Sequence, residues 1–77
     1  RVAIGHDVIM ENFSQACPGA QINGFCKIGC SSFIGSNASV MPGTNIGDKA
    51  TVGSNSQVLR AVKSGTTVNG VPALKVG

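Results

Sequence analysis

The sequence predicts an all-β fold in which the chain winds as a parallel β-helix of three-sided coils. Three observations predict it: an apolar residue at every sixth position, a small residue four places after it, and glycine directly after it in half of the repeats.

Written in sixes from Ile4, the chain reads IGHDVI, MENFSQ, ACPGAQ, INGFCK, IGCSSF, IGSNAS, VMPGTN, IGDKAT, VGSNSQ and VLRAVK, ten hexads without a gap. The first positions are Ile4, Met10, Ala16, Ile22, Ile28, Ile34, Val40, Ile46, Val52 and Val58, all apolar and eight of them β-branched. In a chain that is 42% apolar, ten such matches arise by chance about once in a thousand after the six phases are allowed for. The fifth positions are Val8, Ser14, Ala20, Cys26, Ser32, Ala38, Thr44, Ala50, Ser56 and Val62, and each is small.

Six is an even number, so strand alternation places the first and fifth positions of a hexad on the same side of a short face. The large residue fills the interior and the small one lets the next corner close. Gly5, Gly29, Gly35, Gly47 and Gly53 follow first positions, and Asn23 does so in another hexad. These residues suit the positive φ of tight turns. Three bends close a coil of eighteen residues, and successive coils stack as parallel strands about 4.8 Å apart. The expected core columns are Ile4, Ile22, Val40 and Val58 on one face, Met10, Ile28 and Ile46 on the second, and Ala16, Ile34 and Val52 on the third. About three coils result, spanning residues 1–63.

After Val62 the pattern stops, and residues 64–77 read as a C-terminal turn and final strand. Gly65 marks a turn, Thr66, Thr67 and Val68 add one strand, and Gly70 with Pro72 sets another bend. The chain opens at Arg1 in mid-repeat, so it reads as a fragment whose apolar N-terminal end needs a preceding coil, a cap or a partner. A trimer with its axis along the helix is the expected assembly.

Composition excludes several classes. Three aromatics, with no Trp or Tyr, rule out a core of large side chains, and the apolar content rules out disorder. The net charge of +3 comes without a dense basic patch or stacking aromatics, which sets nucleic acid aside. Arg60, Lys63 and Lys75 gather in the last third, where they read either as a solvated face or as partners for phosphate. Cys17, Cys26 and Cys30 are odd in number and lack CxxC spacing, which points to a reducing, cytoplasmic setting and to neither a disulfide framework nor a zinc site. No apolar run has membrane-spanning length, so no membrane partner is expected.

The six-residue period, the Ile-Gly pairs and the closing Gly70-Val71-Pro72-Ala73 resemble the hexapeptide-repeat acyltransferases, whose β-helix is left-handed. The His6-Asp7 pair, Asn12-Phe13-Ser14, Pro18-Gly19-Ala20 and the GVPA end look most like the NeuD and PglD type of sugar acetyltransferase. The resemblance implies transfer of acetyl from acetyl-CoA to a hydroxyl or amine of a sialic acid or nucleotide-linked amino sugar. It also implies an N-terminal α/β domain that holds the sugar, to which nothing in this sequence corresponds.

By the same resemblance His6 is the general base and Asp7 the acidic neighbour that raises its basicity. A neutral imidazole can take a proton from a hydroxyl or amine as that atom attacks a thioester. Without the resemblance, His6 reads as a surface turn residue. Adjacent strand residues point apart, so the pair cooperates only if the turn after Gly5 redirects one of them. Gly24 lies eighteen residues after His6, one coil along, and is the expected oxyanion donor through its N–H, although it also reads as an ordinary turn glycine. The family's cofactor contacts fall on Gln15, Ser36 and Ser54, and the two serines form a column that could follow the pantetheine arm. Gln15 stands where some relatives have histidine. Met10-Glu11 replaces the usual aliphatic-Gly pair, which should loosen that turn. With one histidine in the chain, a three-histidine zinc site is excluded and no metal is expected. The alternative function is a non-catalytic β-helix scaffold.

Overall fold

A computed structural model describes residues 2–76. Two-residue strands end each repeat and begin the next: β1 (Ala3–Ile4), β2 (Ile9–Met10), β3 (Gln15–Ala16), β4 (Gln21–Ile22), β5 (Lys27–Ile28), β6 (Phe33–Ile34), β7 (Ser39–Val40), β8 (Asn45–Ile46), β9 (Thr51–Val52) and β10 (Gln57–Val58). They are followed by β11 (Thr67–Asn69) and β12 (Leu74–Lys75). In each pair the first residue faces outward and the second inward, as alternation requires.

Three sheets form the faces. The first stacks β1, β4, β7 and β10, the second β2, β5 and β8, and the third β3, β6, β9 and β11, with β12 added at its edge. All pairings are parallel except β11 with β12, which is antiparallel. Ile4 pairs with Ile22 and Ile22 with Val40, a register of eighteen residues. The fold is therefore the parallel β-helix that the repeat predicts, with about four turns, and it matches the left-handed type that the resemblance implies.

The first-position columns form the core. Ile22, Ile28, Ile34, Val40, Ile46, Val52 and Val58 are all at most 2% exposed, whereas Ile4, in the first coil, is 52% exposed. Fully burying such a side chain contributes about 1.5–3 kcal/mol. Ala20, Cys26, Ser32, Ala38, Thr44, Ala50 and Ser56 line the interior beside them. Two buried hydroxyls are bonded: Ser32 Oγ donates to Gly29 O at its own corner at 2.7 Å, and Ser56 Oγ donates to Asn69 Oδ1 on β11 at 2.9 Å.

The corners differ from the sequence expectation in two ways. Positive φ falls on the fourth hexad position, not on the glycine at the second. Asp7, Phe13, Gly19, Phe25, Ser31, Asn37, Gly43, Lys49 and Asn55 all lie between +56° and +82°. The fifth-position N–H reaches back to the second-position carbonyl, as in Ala20 N to Cys17 O at 3.1 Å, closing a turn whose third residue is left-handed. Pro18-Gly19 and Pro42-Gly43 occupy the two central places, where proline and then glycine suit such a turn. The second-position glycines serve close approach instead. A Cβ on Gly5 would lie 2.6 Å from Gly24 N, and one on Gly35 would lie 2.6 Å from Ser54 N.

The second difference is at Val62. It does not continue the small column but bridges Ile46 in parallel, on the second face. The fourth coil thus omits two residues at its first corner. The stack then resumes, with Val68 beside Val52, so Val62 and Val68 extend the second and third core columns.

Candidate active site

The corner between the first and second faces holds His6 and Asp7 in the first coil, Gly24 and Phe25 in the second, and Pro42 and Gly43 in the third. Because Asp7 takes φ of +59°, its side chain leaves the alternation that would separate it from its neighbour. His6 Nδ1 and Asp7 Oδ2 are 3.0 Å apart. A carboxylate only accepts, so this bond places the ring proton on Nδ1 and leaves the Nε2 lone pair free. Both side chains are largely exposed, at 79% for His6 and 67% for Asp7, so an incoming group has access to the ring.

Gly24 lies beside that lone pair. A Cβ added there would come 3.8 Å from His6 Nε2 and 3.2 Å from His6 O. Among the described residues the Gly24 N–H donates to no acceptor, while its carbonyl accepts from Gly43 N at 2.9 Å. At the next corner the equivalent N–H groups are capped by side chains, Cys30 N by Asp48 Oδ1 at 2.8 Å and Asp48 N by Ser64 Oγ at 3.1 Å. Pro42, one coil beyond Gly24, carries no such side-chain acceptor.

Phe25 escaped the sequence reading. Its N–H donates to His6 O at 3.1 Å, and its ring meets the His6 ring edge-to-face, with centroids 5.1 Å apart and planes at 84°. Such a pair is worth about 0.5–1.5 kcal/mol. The signal was present in the sequence as phenylalanine at a hexad position otherwise held mainly by Asp, Asn, Gly and Ser, but it has meaning only once that position is known to be left-handed.

The remaining candidates lie elsewhere on the prism. Gln15 is on β3, pairs in register with Phe33 and faces outward from the third face. Ser36 and Ser54 stack in one column at the third corner, where Ser36 O accepts from Asn55 N at 2.8 Å. Within one chain, then, His6, Asp7 and Gly24 come together, whereas Gln15, Ser36 and Ser54 do not join them. The Met10-Glu11 turn keeps the closure of its counterparts: Glu11 O accepts from Ser14 N at 3.2 Å and from Ser14 Oγ at 2.8 Å. Ser32 Oγ makes the same bond to Gly29 O at a corner that has its glycine, so the expected loosening is not seen in this closure. Arg60, Lys63 and Lys75 border a cavity of about 320 Å³ at the C-terminal end of the helix, over Val62, Val68 and Leu74. Among the described residues no three His, Cys, Asp or Glu side chains cluster as metal ligands.

The family described as bacterial transferase hexapeptide (six repeats) matches residues 25–60. The acetyltransferase domain of PglB from Neisseria gonorrhoeae superposes with a TM-score of 0.96 at 31% identity, over 97% of this chain and 37% of that one. This chain carries the hexapeptide repeat of that family. A perosamine N-acetyltransferase variant from Caulobacter crescentus, solved with CoA and GDP-perosamine, shares the hexapeptide-repeat fold with a TM-score of 0.91 at 30% identity, covering 92% of this chain and 34% of that one. A chloramphenicol acetyltransferase from Klebsiella aerogenes is 44% identical over 64 residues, 83% of this chain and 30% of that protein. The chain therefore spans about a third of the length of these three relatives, from 30% to 37%.

Proposed function

We propose that this chain is the acetyl-transferring β-helix of a sugar O- or N-acetyltransferase. The observation that carries the reading is the free Nε2 of His6, held by Asp7 through Nδ1 at 3.0 Å and facing the uncapped Gly24 corner. The acceptor's hydroxyl or amine attacks the thioester carbonyl of acetyl-CoA while Nε2 takes its proton. The new carbon–oxygen or carbon–nitrogen bond forms as the carbonyl oxygen gains charge, and the Gly24 N–H, which has no acceptor among the described residues, donates to it. The carbon–sulfur bond then breaks, and the departing thiolate of CoA recovers the proton from His6.

Acetyl-CoA as donor is supported by the PglB domain, which has also been solved with acetyl coenzyme A. A nucleotide-sugar acceptor is supported by the GDP-perosamine in the Caulobacter enzyme. The cations around the C-terminal cavity suit the phosphates of the cofactor. Gln15, Ser36 and Ser54 act as cofactor contacts only if a second copy brings its third face and corner against the His6 corner. A homotrimer about an axis parallel to the helix does this three times, so the trimer belongs to the same reading.

Calorimetry with acetyl-CoA, followed by turnover assays offering GDP-perosamine and chloramphenicol as acceptors, tests the proposal in the intact protein. His6→Ala is expected to retain cofactor binding and to lose about 10²–10⁴-fold in turnover. Near-normal turnover in that variant ends the role of His6. No acetyl-CoA binding at millimolar concentration favours the scaffold reading instead. Turnover of chloramphenicol alone favours a second reading, acetylation of that compound, which the 44% identity to the Klebsiella protein supports.

A further inference from the structure

We propose that Phe25 is a positioning residue for His6: its ring holds the imidazole so that Nε2 points toward the Gly24 corner. The proposal rests on the reading of His6 as the base. Asp7 supplies a single bond to the imidazole, at Nδ1, and because both side chains are largely exposed that bond alone leaves the ring free to swing away from Asp7 and lose the tautomer it sets. Phe25 supplies the second contact, from the next coil, at 5.1 Å between centroids and 84° between planes. Its backbone is tied to the same residue through Phe25 N to His6 O at 3.1 Å.

Neither turn formation nor burial accounts for phenylalanine here. The backbone φ is +62°, a conformation in which a bulky side chain is an outlier and Asn, Asp or Gly are at ease. The side chain recovers little by burial, because Phe25 remains 62% exposed. An unfavourable backbone state kept at an exposed position beside a candidate base points to a use for the ring itself. Phe13 provides the contrast within the chain: it has the same conformation at +63°, is 84% exposed, and meets no aromatic ring among the described residues.

The test compares Phe25→Asn, Phe25→Tyr and, as a control, Phe13→Asn in the full chain. Asparagine suits the left-handed corner, so both asparagine variants are expected to fold and to melt at or above the wild-type temperature. His6 is the only histidine, so long-range proton–nitrogen correlation spectra report its imidazole without ambiguity. The wild type is expected to show one neutral tautomer, protonated at Nδ1, with cross-relaxation between the His6 and Phe25 ring protons. Phe25→Asn should mix the tautomers and lower turnover about tenfold at unchanged acetyl-CoA affinity, while Phe25→Tyr and Phe13→Asn keep the wild-type spectrum.

An unchanged tautomer in Phe25→Asn overturns the proposal even if turnover falls, since the ring would then act on the acceptor and not through His6. A mixed tautomer with turnover preserved overturns it as well. Should the wild type transfer no acetyl group, the proposed function fails separately. The presence or absence of the ring-to-ring cross-relaxation, and the response of the tautomer, would still decide whether Phe25 holds the imidazole.

Discussion

A Cβ at Gly5 would sit 2.6 Å from Gly24 N and 3.0 Å from Asn23 C, against backbone that no side-chain rotation can move. Gly5→Ala is therefore expected to separate the first two coils locally and to destabilise the protein by about 1–3 kcal/mol, read by urea denaturation. The displaced atom belongs to the proposed oxyanion donor, so turnover per folded molecule should fall further than stability alone explains. Gly29→Ala makes the same kind of collision, 2.6 Å from Asp48 N, at a corner that lacks His6. It should lose comparable stability with its turnover per folded molecule intact. Equal turnover losses in the two variants would remove the special standing of the Gly5–Gly24 contact. This role of glycine was not legible in the sequence. A glycine needed for positive φ and one needed for close approach look alike until the neighbouring coil is in place, and here the left-handed residue stands two positions later, at Asp7 and its equivalents.

The strands are two residues long, so each gains little from its own backbone and depends on the column of inward side chains above and below it. Ile28 is fully buried between Met10 and Ile46, whereas Ile4, at the end of its column, is half exposed. Ile28→Ala is expected to lose about 2–5 kcal/mol through an unfilled cavity, and Ile4→Ala less than about 1 kcal/mol, both measured as shifts in the urea midpoint. Similar losses at the two sites would mean that the coils do not stack as a common core. These columns were legible because first-position residues recur at a period the chain keeps from Ile4 to Val58. Val62 was not, because a two-residue omission moves it from the small column into the place one coil along from Ile46, and counting in sixes carries no mark of that step. The site was legible in the same proportion. His6 and Asp7 came from the resemblance and Gly24 from counting eighteen residues on from His6, while Phe25 needed the backbone conformation and the ring contact.

Along the whole molecule, charge is graded. Two of the three acids, Asp7 and Glu11, lie in the first coil, while Arg60, Lys63 and Lys75 gather beyond the third, around the cavity at the opposite end. A phosphate-bearing cofactor would meet the cationic end first and lay its thioester back toward His6, so encounter and chemistry would be governed by different ends of the prism. Two consequences separate these roles. The association rate of acetyl-CoA, followed by stopped-flow fluorescence with a labelled CoA analogue, should fall steeply as salt is raised through the range where the Debye length shrinks from about 10 Å to 3 Å. Arg60→Ala or Lys63→Ala should weaken acetyl-CoA binding by about 1.5–3 kcal/mol, if each supplies a charge-assisted hydrogen bond, without changing turnover at saturation. His6→Ala, at the other end, should leave the salt slope as it is. An association rate indifferent to salt, with Arg60→Ala and Lys63→Ala both binding like the wild type, would move the cofactor phosphates away from this cavity, even if His6 remained the base.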